Sequence, residues 1–451
     1  MEEKKINKIT EGVIWKALIM FFLPIFLQSV FQQVFGIVDA VIVGQGVGKH
    51  ALGAINSTSN LTKLFLNLFL GFCSGAAIIV GQGWGAKDKV KIEKAVHTGT
   101  AFSLLGGVVT AIICVPLSPI FMNIMRIPSD MMEYSLIYTQ IIFISFIGMF
   151  IYDMAAAILR AIGDSKRPFY YLIVAMVLNL LLDMLFVLVF KWGVAGAAVA
   201  TAIAQMVAAA LGIIRLCRLR SDARVFIHKI RFHKDVLVEM IKLGVPMGIS
   251  GILYSISNIA IQSSINSLGT DVITGWSVHV KVSSVIWSIF DAFAISASTF
   301  VAQNFGAGRP DRVHGSIRST LGVGAIVTLS VSVILYVFIQ PLSYIFISDS
   351  VVIDYAIYIE RTMAPFYIFY LFGEVFGSSI RGTGETFKPM LITLIGTCGF
   401  RIAWVAAGNI FGLLNVTFMA VGYPVSWAFN SALMAILFFF GGWRKKIRVK
   451  E

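Results

Sequence analysis

The chain has 451 residues, of which 58% are hydrophobic and 13% are charged, and its formal net charge is +13. An ordinary soluble domain carries about 25% charged residues, so this composition excludes a soluble globular protein and indicates a membrane protein. The positive charge does not indicate nucleic acid binding, because Lys and Arg are concentrated in alternate loops between apolar stretches.

Twelve apolar stretches are each long enough to cross a hydrocarbon core of about 30 Å, which takes roughly 20 helical residues. They predict transmembrane helices over residues 15–44, 52–80, 95–120, 131–158, 168–190, 194–217, 238–266, 272–302, 316–342, 352–379, 388–412 and 417–442. Lys and Arg accumulate in cytoplasmic loops. The basic set includes Lys4, Lys5 and Lys8 near the start and the tail from Arg444. We therefore expect a multi-pass protein of the cell (inner or plasma) membrane with both termini in the cytoplasm.

The sequence lacks the usual patterns of an enzyme or a metalloprotein. Four cysteines, Cys73, Cys114, Cys217 and Cys398, are scattered without CxxC or Cys/His spacing, so we expect neither a disulfide framework nor a metal site. A DxxD pair, a His cluster or a nucleophile with its base would indicate catalysis. We find none of these in the sequence, and predict a non-enzymatic protein without a cofactor.

The chain repeats itself in order. Residues 157–169 read AILRAIGDSKRPF and residues 378–390 read SSIRGTGETFKPM, which places the shared Arg, Gly, acid and Pro 221 positions apart. QGWGAKDKV at 82 recurs as QNFGAGRPDRV at 303, and PLSPIF at 116 recurs as PLSYIF at 341. These matches predict a duplicated six-helix unit, with one copy in residues 1–222 and the other in 223–451.

An even number of helices brings the second copy into the membrane from the same side as the first. The copies are then related by an axis along the membrane normal, as in parallel transporter repeats. Two such bundles leave a central cleft that can open to either side. The duplication therefore favours a transporter that works by alternating access over a passive channel.

Four of these stretches, GQGWGAKD, AQNFGAGRPDRV, LRAIGDSKRPF and IRGTGETFKP, resemble the cytoplasmic loop motifs of the multidrug and toxic compound extrusion (MATE) transporters. The resemblance runs over essentially the entire chain. It implies an all-α integral membrane protein with twelve transmembrane helices in two pseudo-symmetric six-helix bundles arranged as a V. It further implies secondary active efflux of amphiphilic, often cationic compounds in antiport with H⁺ or Na⁺.

The expected partners are the lipid bilayer and small amphiphilic organic compounds, and not nucleic acid. We expect a monomer. H⁺ or Na⁺ would act as the coupling ion rather than as a cofactor.

Each half contains one intramembrane acid at an equivalent position. Asp153 and Glu374 are 221 residues apart, and each precedes its repeat arginine, Arg160 or Arg381, by seven residues. That spacing places the acid and the guanidinium about two turns apart on one helix face. We interpret both sets as structural charge pairs that position the cytoplasmic loops or a gate.

Two other acids, Asp39 and Asp183, occur in the first half alone, because their equivalents fall near Ala260 or Ile261 and at Trp404. A carboxylate in the apolar zone costs about 2.5 to 3.5 kcal/mol on insertion scales, so an unshared one needs a reason. Depths counted along the helices at about 1.5 Å per residue place these acids in one layer with two other polar side chains. The predicted layer consists of Asp39, Asn179, Asp183 and Thr201.

This layer can do two related jobs. Two carboxylates close together in low dielectric do not both ionise cheaply, so one can carry a proton. Carboxylate, amide and hydroxyl oxygens also suit a hard cation, so the same residues could hold Na⁺, with no other metal expected. The resemblance assigns these positions to the cation or proton site of MATE relatives. Local pairing of the acids, with Asn179 and Thr201 as ordinary interhelical contacts, is the alternative.

The first helix carries a stripe of polar and small residues at helical spacing, Gln28, Gln32, Gly36 and Asp39. Pro24 interrupts the same helix and removes one backbone hydrogen bond, so we predict a hinge there. We predict that Gln32, together with Met176 one turn below Asn179, contacts the transported compound.

Four cations, Lys63, Lys281, Arg361 and Arg401, lie within apolar spans and are expected to reach the interface or to be paired. Arg401 and Lys281 leave an alternative open. A lipid-linked oligosaccharide flippase of the same superfamily would need cations in its cavity to hold a diphosphate.

Overall fold

The computed structural model of the chain describes residues 9–443, apart from the side chains at positions 49, 52 and 60. Its residues are 87% helical, and no strand occurs within this described range. Within the described residues, twelve helical spans are long and apolar enough to cross a membrane, and three of them join consecutive helical segments, Lys166–Val189, Ser350–Gly382 and Phe387–Ile410. The all-α membrane fold predicted from the sequence is thereby confirmed. The two chain termini, whose cytoplasmic location we predicted, lie outside the described residues.

The α-helices, in chain order, are α1 (Ile14–Gly46), α2 (Lys49–Ala86), α3 (Lys89–Ile124), α4 (Ser129–Ala161), α5 (Lys166–Asp183), α6 (Gly193–Cys217), α7 (Lys234–Asn266), α8 (Thr270–Val282), α9 (Ser284–Gly306), α10 (Pro310–Ser343), α11 (Ser350–Met363), α12 (Tyr367–Gly382), α13 (Phe387–Thr393), α14 (Phe400–Ile410) and α15 (Val416–Phe440). Shorter segments are the π-helices Met184–Val189 and Leu394–Gly399 and the 3₁₀ turns Ile227–Lys229 and Ala364–Phe366.

The repeated Arg-Gly-acid-Pro motif forms the same helix ending in both halves. The glycine has a positive φ in each copy, 94° at Gly163 and 87° at Gly384, which glycine adopts without strain. The Gly163 N–H donates to the carbonyl of Arg160 over 2.9 Å, and the Gly384 N–H donates to the carbonyl of Arg381 over 2.9 Å. The motif therefore recurs because two equivalent helices are terminated by one kind of turn.

The chain forms two compact units. Unit 1 consists of Met1–Phe26 with Ile249–Glu451, and unit 2 consists of Leu27–Gly248. In unit 2 the central helix is α4, which packs against α2, α3 and α6. In unit 1 the corresponding helix is α12, which packs against α9, α10 and α15. The sequence predicts that the two copies of the duplication meet between residues 222 and 223. The boundaries of the compact units do not test that division, which stays a prediction.

Two helices change unit along their length, and they are the first helix of each half. The α1 helix belongs to unit 1 up to Phe26 and to unit 2 beyond it, while α7 belongs to unit 2 up to Gly248 and to unit 1 beyond it. Each carries an interior proline two residues earlier, Pro24 in α1 and Pro246 in α7. Each proline removes one backbone hydrogen bond, so both helices change unit next to a position that lacks a helical hydrogen bond.

The first part of α1 is embedded in the aromatic core of unit 1. Leu18 is fully buried there. Phe22 stacks on Phe293 of α9 with ring centroids 4.1 Å apart, and Phe21 meets Phe300 edge-on at 5.6 Å. Aromatic pairs of this geometry contribute about 0.5 to 1.5 kcal/mol beyond their burial, so this segment is firmly attached to unit 1.

The start of α7 crosses α2 within unit 2 at backbone contact. A methyl group built on Gly71 of α2 would lie 2.3 Å from the backbone nitrogen of Gly248, and one built on Gly75 would lie 2.9 Å from the carbonyl oxygen of Met240. On α7, a methyl group on Gly244 would lie 2.8 Å from the Cα of Phe72. Both helices thus present glycines four residues apart, a spacing that lets helices approach closely in membranes.

The segment between α6 and α7 is hydrogen-bonded to the beginning of α3. The Phe226 N–H donates to His97 Nε2 over 3.0 Å, and the His233 N–H donates to the hydroxyl of Thr98 over 3.1 Å. His97 is buried. This basic linker is therefore an integral part of unit 2 rather than a free connection.

The glycine crossing generates a stability prediction. Gly244→Val places a branched side chain against the backbone of Phe72, and overpacking of this kind costs about 1 to 3 kcal/mol. We expect a lower thermal unfolding temperature for the purified variant in detergent. Gly322→Val in α10 is the matched control, because nothing lies within 4 Å of a methyl group built there. Equal shifts for the two variants would contradict the role of the crossing.

Candidate functional site

Two acids from different helices meet inside unit 2. Asp183 is the last residue of α5 and is fully buried, and Asp39 is half-buried in the second part of α1. The carboxyl group of each is a direct side-chain neighbour of the other. The structure therefore brings together the two acids that the sequence singled out, although they are 144 positions apart in the chain.

Three of the four oxygens of these two carboxyl groups lack a hydrogen-bond donor within residues 9–443. Asp39 Oδ1 and both carboxylate oxygens of Asp183 are buried without a hydrogen-bond partner among the described residues. An ionised carboxylate only accepts hydrogen bonds, so two of them cannot satisfy each other. One proton between them, or one bound cation, would supply what the pair lacks.

The other two members of the predicted layer are nearby in the fold. Asn179 precedes Asp183 by one turn of α5, is buried, and has an amide nitrogen without a partner in the described structure. Thr201 is half-buried on α6, which packs against α5 and against the π-helix that follows Asp183. Direct ligation by Asn179 or Thr201 stays a prediction.

The backbone changes geometry directly after Asp183. The helix continues as the π-helix Met184–Val189, in which the hydrogen bonds span five residues, as in the 2.8 Å bond from the N–H of Phe190 to the carbonyl of Leu185. Single π-helical turns inside α-helices are frequent at functional sites. The wider turn fixes where α5 ends and therefore where the carboxyl group of Asp183 lies.

A third polar residue beside the acids was missed by the sequence reading. Tyr138 of α4 is close enough to interact electrostatically with both Asp39 and Asp183. Ser135 and Thr139 lie next to it along α4, and both hydroxyls are buried without a partner in the described part of the chain. Polar residues at i, i+3 and i+4 of an apolar helix share one face, and that spacing was the available signal.

The two repeat-related acids occupy equivalent central helices. Glu374 and Arg381 of α12 form an ion pair. Arg160 is the cation that acts electrostatically on Asp153 in α4. Their proposed role in holding the cytoplasmic loops stays a prediction.

The remaining predicted residues have different surroundings. Pro24 lies inside α1. Gln32 is exposed on the same helix, as expected of a side chain that can meet a ligand. Met176 is 9% exposed and packs in an apolar cluster formed with Tyr152 and Ala204. Cargo contact by Gln32 or Met176 stays a prediction.

Unit 1 contains a buried polar cluster that the sequence did not indicate. The carboxylate of Glu360 is fully buried, lies 2.6 Å from His279 Nδ1, and accepts hydrogen bonds from the hydroxyls of Ser283 and Tyr367. Ser283 separates α8 from α9, and Tyr367 begins α12. The predicted single helix over 272–302 is therefore broken at Ser283, where the hydroxyl is bonded to the glutamate.

The carboxyl pair of unit 2 is not part of a larger cluster of metal ligands in the part of the chain that the structure describes. Within the described residues, no group of three or more His, Cys, Asp or Glu side chains could hold a metal ion. Two neighbouring carboxyl groups with adjacent amide and hydroxyl groups instead suit a single proton or a hard monovalent cation.

Comparison with known proteins identifies relatives that match nearly the full length of the chain. The family model described as MatE matches residues 24–185 and again residues 246–405. The probable multidrug resistance protein YoeA of Bacillus subtilis (strain 168) is 30% identical over 452 residues, covering 98% of this chain and 96% of the relative. The probable multidrug resistance protein YpnP of the same organism is 28% identical, covering 96% of this chain and 97% of the relative.

Among solved structures, an outward-facing multidrug resistance MATE family transporter of the MOP superfamily aligns with a TM-score of 0.88. The alignment covers 100% of this chain and 99% of that one at 19% sequence identity. At that identity the match establishes the fold.

The unpaired carboxyl groups generate a prediction about stability. Asp183→Asn gives Asp39 an amide N–H donor, whereas Asp183→Leu leaves the Asp39 carboxyl group without one. An unsatisfied buried group costs about 1 to 3 kcal/mol. We expect the Asn variant to unfold at the parent temperature or above, and the Leu variant below it, in detergent buffer without Na⁺. A similar loss in both variants would contradict the absence of donors.

Proposed function

The chain belongs to the MATE family of transporters, since the family model matches both halves and a relative of that family is 30% identical over nearly the full length; from this membership we propose that it is a secondary active exporter of amphiphilic, often cationic compounds. Members of the family are transporters rather than enzymes. Export would be driven by inward movement of H⁺ or Na⁺ in antiport. The curated relatives are named multidrug resistance proteins, and these names support the export of drugs.

The observation that carries the proposal is that Asp39 and Asp183 are neighbours and that three of their four carboxyl oxygens have no donor among the described residues. A proton or Na⁺ would remove the repulsion between them and let α1 and α5 approach. Release of that ion would restore the repulsion and separate the helices. Asn179 and Thr201 would add oxygen ligands if the ion is Na⁺.

Movement of α1 would link the ion to the cargo. The part of α1 beyond Phe26 carries Asp39 and the exposed Gln32, while the part before it is held in unit 1. A change in packing around Asp39 would therefore bend α1 near Pro24 and alter the surface that Gln32 and Met176 offer to a bound compound. Binding of the ion at Asp39 would thus oppose binding of the compound at Gln32, because both residues lie on α1.

Orientation follows from the distribution of charge. We propose a monomer in the cell membrane. Both termini would lie in the cytoplasm, because the basic residues lie in alternate loops. We further propose that residues 1–222 form the ion-coupling half and residues 223–451 form its partner.

The coupling site is tested by transport in liposomes with independently imposed pH and Na⁺ gradients. We expect ethidium transport to depend on one of these gradients and to be lost in both Asp39→Asn and Asp183→Asn, because neither variant retains the acid pair. Asp130→Asn is the control, since Asp130 is exposed and pairs with His50. Transport that survives both site substitutions would exclude this assignment.

The hinge is tested separately. Pro24→Ala restores the missing backbone bond of α1 and should impair export by stiffening the helix, with normal expression and normal ion-dependent stability. Pro119→Ala in α3 is the control, because it also removes an interior helix proline. Unchanged export by Pro24→Ala would remove the hinge from the mechanism.

A second candidate is a lipid-linked oligosaccharide flippase of the same superfamily. The buried cation Arg401 is the observation that favours it, because a diphosphate needs positive charge in the cavity. A flippase would not lower ethidium levels in a host that lacks its own efflux pumps. The same transport assay therefore separates the two functions.

A further inference from the structure

Unit 2 has a pocket between the basic linker and the beginning of α3. Its volume is about 390 Å³, and a pocket of this size can hold a small organic molecule. The wall from α3 includes Glu93, Lys94 and His97, which share one helical face because they are three or four residues apart. The wall from the linker includes His228, Lys229 and Arg231. The proposed export mechanism uses none of these residues.

Hydrogen bonds between the two walls fix the shape of the pocket. His97 Nε2 accepts a hydrogen bond from the Phe226 N–H, which leaves the ring proton on Nδ1, 2.7 Å from the carbonyl oxygen of Glu93. Both ring nitrogens of His97 are thereby engaged within the protein. His97 therefore holds the linker on α3 and is not available to a ligand.

Positive charge predominates around the pocket. Lys94, Lys229 and Arg231 line it together with one acid, Glu93. Glu93 is paired with Lys229 at 2.9 Å, and Lys94 is paired with Asp235 at 2.8 Å. The ion pairs among the described residues do not include Arg231. A ligand in this pocket would therefore meet a guanidinium without a counter-charge, which favours an anion.

The guanidinium of Arg231 is held in place by its neighbour. Its Nε donates to Nε2 of His233 over 3.2 Å. Burial, and then the nearby cations Arg231 and Lys94, lower the pKa of His233, so the ring is neutral and can accept this bond. The two terminal nitrogens of Arg231 make no hydrogen bond within the described structure. Terminal N–H groups of this kind can bind two oxygens of one oxyanion.

The charged residues of the pocket are not shared by the two halves of the duplication. DKV at 88, before the pocket, recurs as DRV at 311 at the start of α10. Counted from there, Lys94 and His97 correspond to Ile317 and Thr320, which are neutral and buried. The scaffold that both halves have in common therefore does not require a cation and a histidine here.

The position of the pocket indicates which anion it would meet. The membrane span of α3 begins at Lys89, so the pocket lies where this helix meets the surface that we propose to be cytoplasmic. Basic pockets on that side of membrane proteins bind anionic head groups. A phosphate group offers several strong acceptor oxygens, which suits a site with donors on two opposite walls.

We propose that this pocket binds a phosphate group through Arg231, with Lys94, Lys229 and His228 as further donors. The phosphate belongs to a lipid head group or to a small soluble compound, and the experiments below separate these two sources. A bound phosphate would attach the linker more firmly to α3 and stabilise unit 2. The proposal goes beyond the export function and does not depend on it, because binding is measured without transport.

The first experiment measures equilibrium binding to the purified full chain in a neutral detergent at constant ionic strength. The probes are inorganic phosphate, dihexanoyl phosphatidic acid and dihexanoyl glycerol, which lacks the phosphate. We expect the parent to bind the two phosphate probes and not dihexanoyl glycerol. In Arg231→Gln the dissociation constants of both should rise by at least about tenfold, as expected for loss of a charged hydrogen-bond donor.

Arg220→Gln is the matched control. Arg220 is an exposed cation of the same linker and does not line the pocket, so the variant has the same change in net charge and should bind both phosphate probes as the parent does. Equal weakening in the two variants would mean a general attraction of anions to the basic surface and would overturn the proposal. Unchanged binding in Arg231→Gln would overturn it too, as would a parent that binds neither phosphate probe.

A second variant tests the pocket without removing a cation. His228 is exposed, and its ring makes no hydrogen bond in the described part of the chain, so substitutions there should leave the fold intact. His228→Glu places a carboxylate at the pocket and should weaken phosphate binding by at least about tenfold through repulsion, while His228→Gln stays near the parent. Unchanged binding in His228→Glu would overturn the proposal even if Arg231→Gln failed to fold.

Competition between the probes identifies the source of the phosphate. Tighter binding of phosphatidic acid than of inorganic phosphate, with displacement of one by the other, would support a lipid head group at Arg231. Equal affinities, again with displacement, would support a soluble phosphate compound, because the acyl chains then contribute nothing. If phosphatidic acid binds regardless of Arg231 and inorganic phosphate does not displace it, the lipid lies elsewhere and the proposal fails.

Discussion

The whole structure depends on the cost of placing a charge among apolar helices. With so few charged residues, each buried charge has to be accommodated individually, and the chain does this in different ways. Glu374 is paired with Arg381, and Glu360 is surrounded by donors. Three carboxylate oxygens of the pair Asp39 and Asp183, and Nη2 of Arg401, have no hydrogen-bond partner among the described residues. The first two charges are satisfied by neighbouring side chains, while the latter are satisfied only in part.

Much of the fold could be predicted from the sequence, because twelve apolar stretches of membrane length allow little else. The repeat also predicted equivalent helix ends. The positive φ of Gly163 and of Gly384 explains why the motif has a glycine in both halves. The interruptions of the helices could not be predicted from hydropathy or from the repeat. The break at Ser283 lies where its hydroxyl is hydrogen-bonded to Glu360, 77 residues away, and such a distant contact cannot be read from local hydropathy. The π-helix after Asp183 is likewise not visible in the hydropathy of the sequence.

The candidate site was predicted only in part. Asp39 and Asp183 were recognisable because each is a costly carboxylate in the apolar zone whose equivalent position in the second half cannot ionise. Tyr138 was not, since a tyrosine in an apolar helix carries no unusual cost by itself. Arg401 was expected to reach the interface or to be paired, and the structure buries it with hydrogen bonds to Ser426 and Asn258. Whether a cation is exposed depends on the helices packed around it, and the order of residues along the chain does not show which helices those are.

The second half of the duplication does not contain its whole core. Leu18, Phe21 and Phe22 come from the first helix of the chain, and without them the aromatic core around Phe293 and Phe300 would lie open. Residues from 249 onward are therefore not expected to form a stable unit unless the first helix is supplied with them.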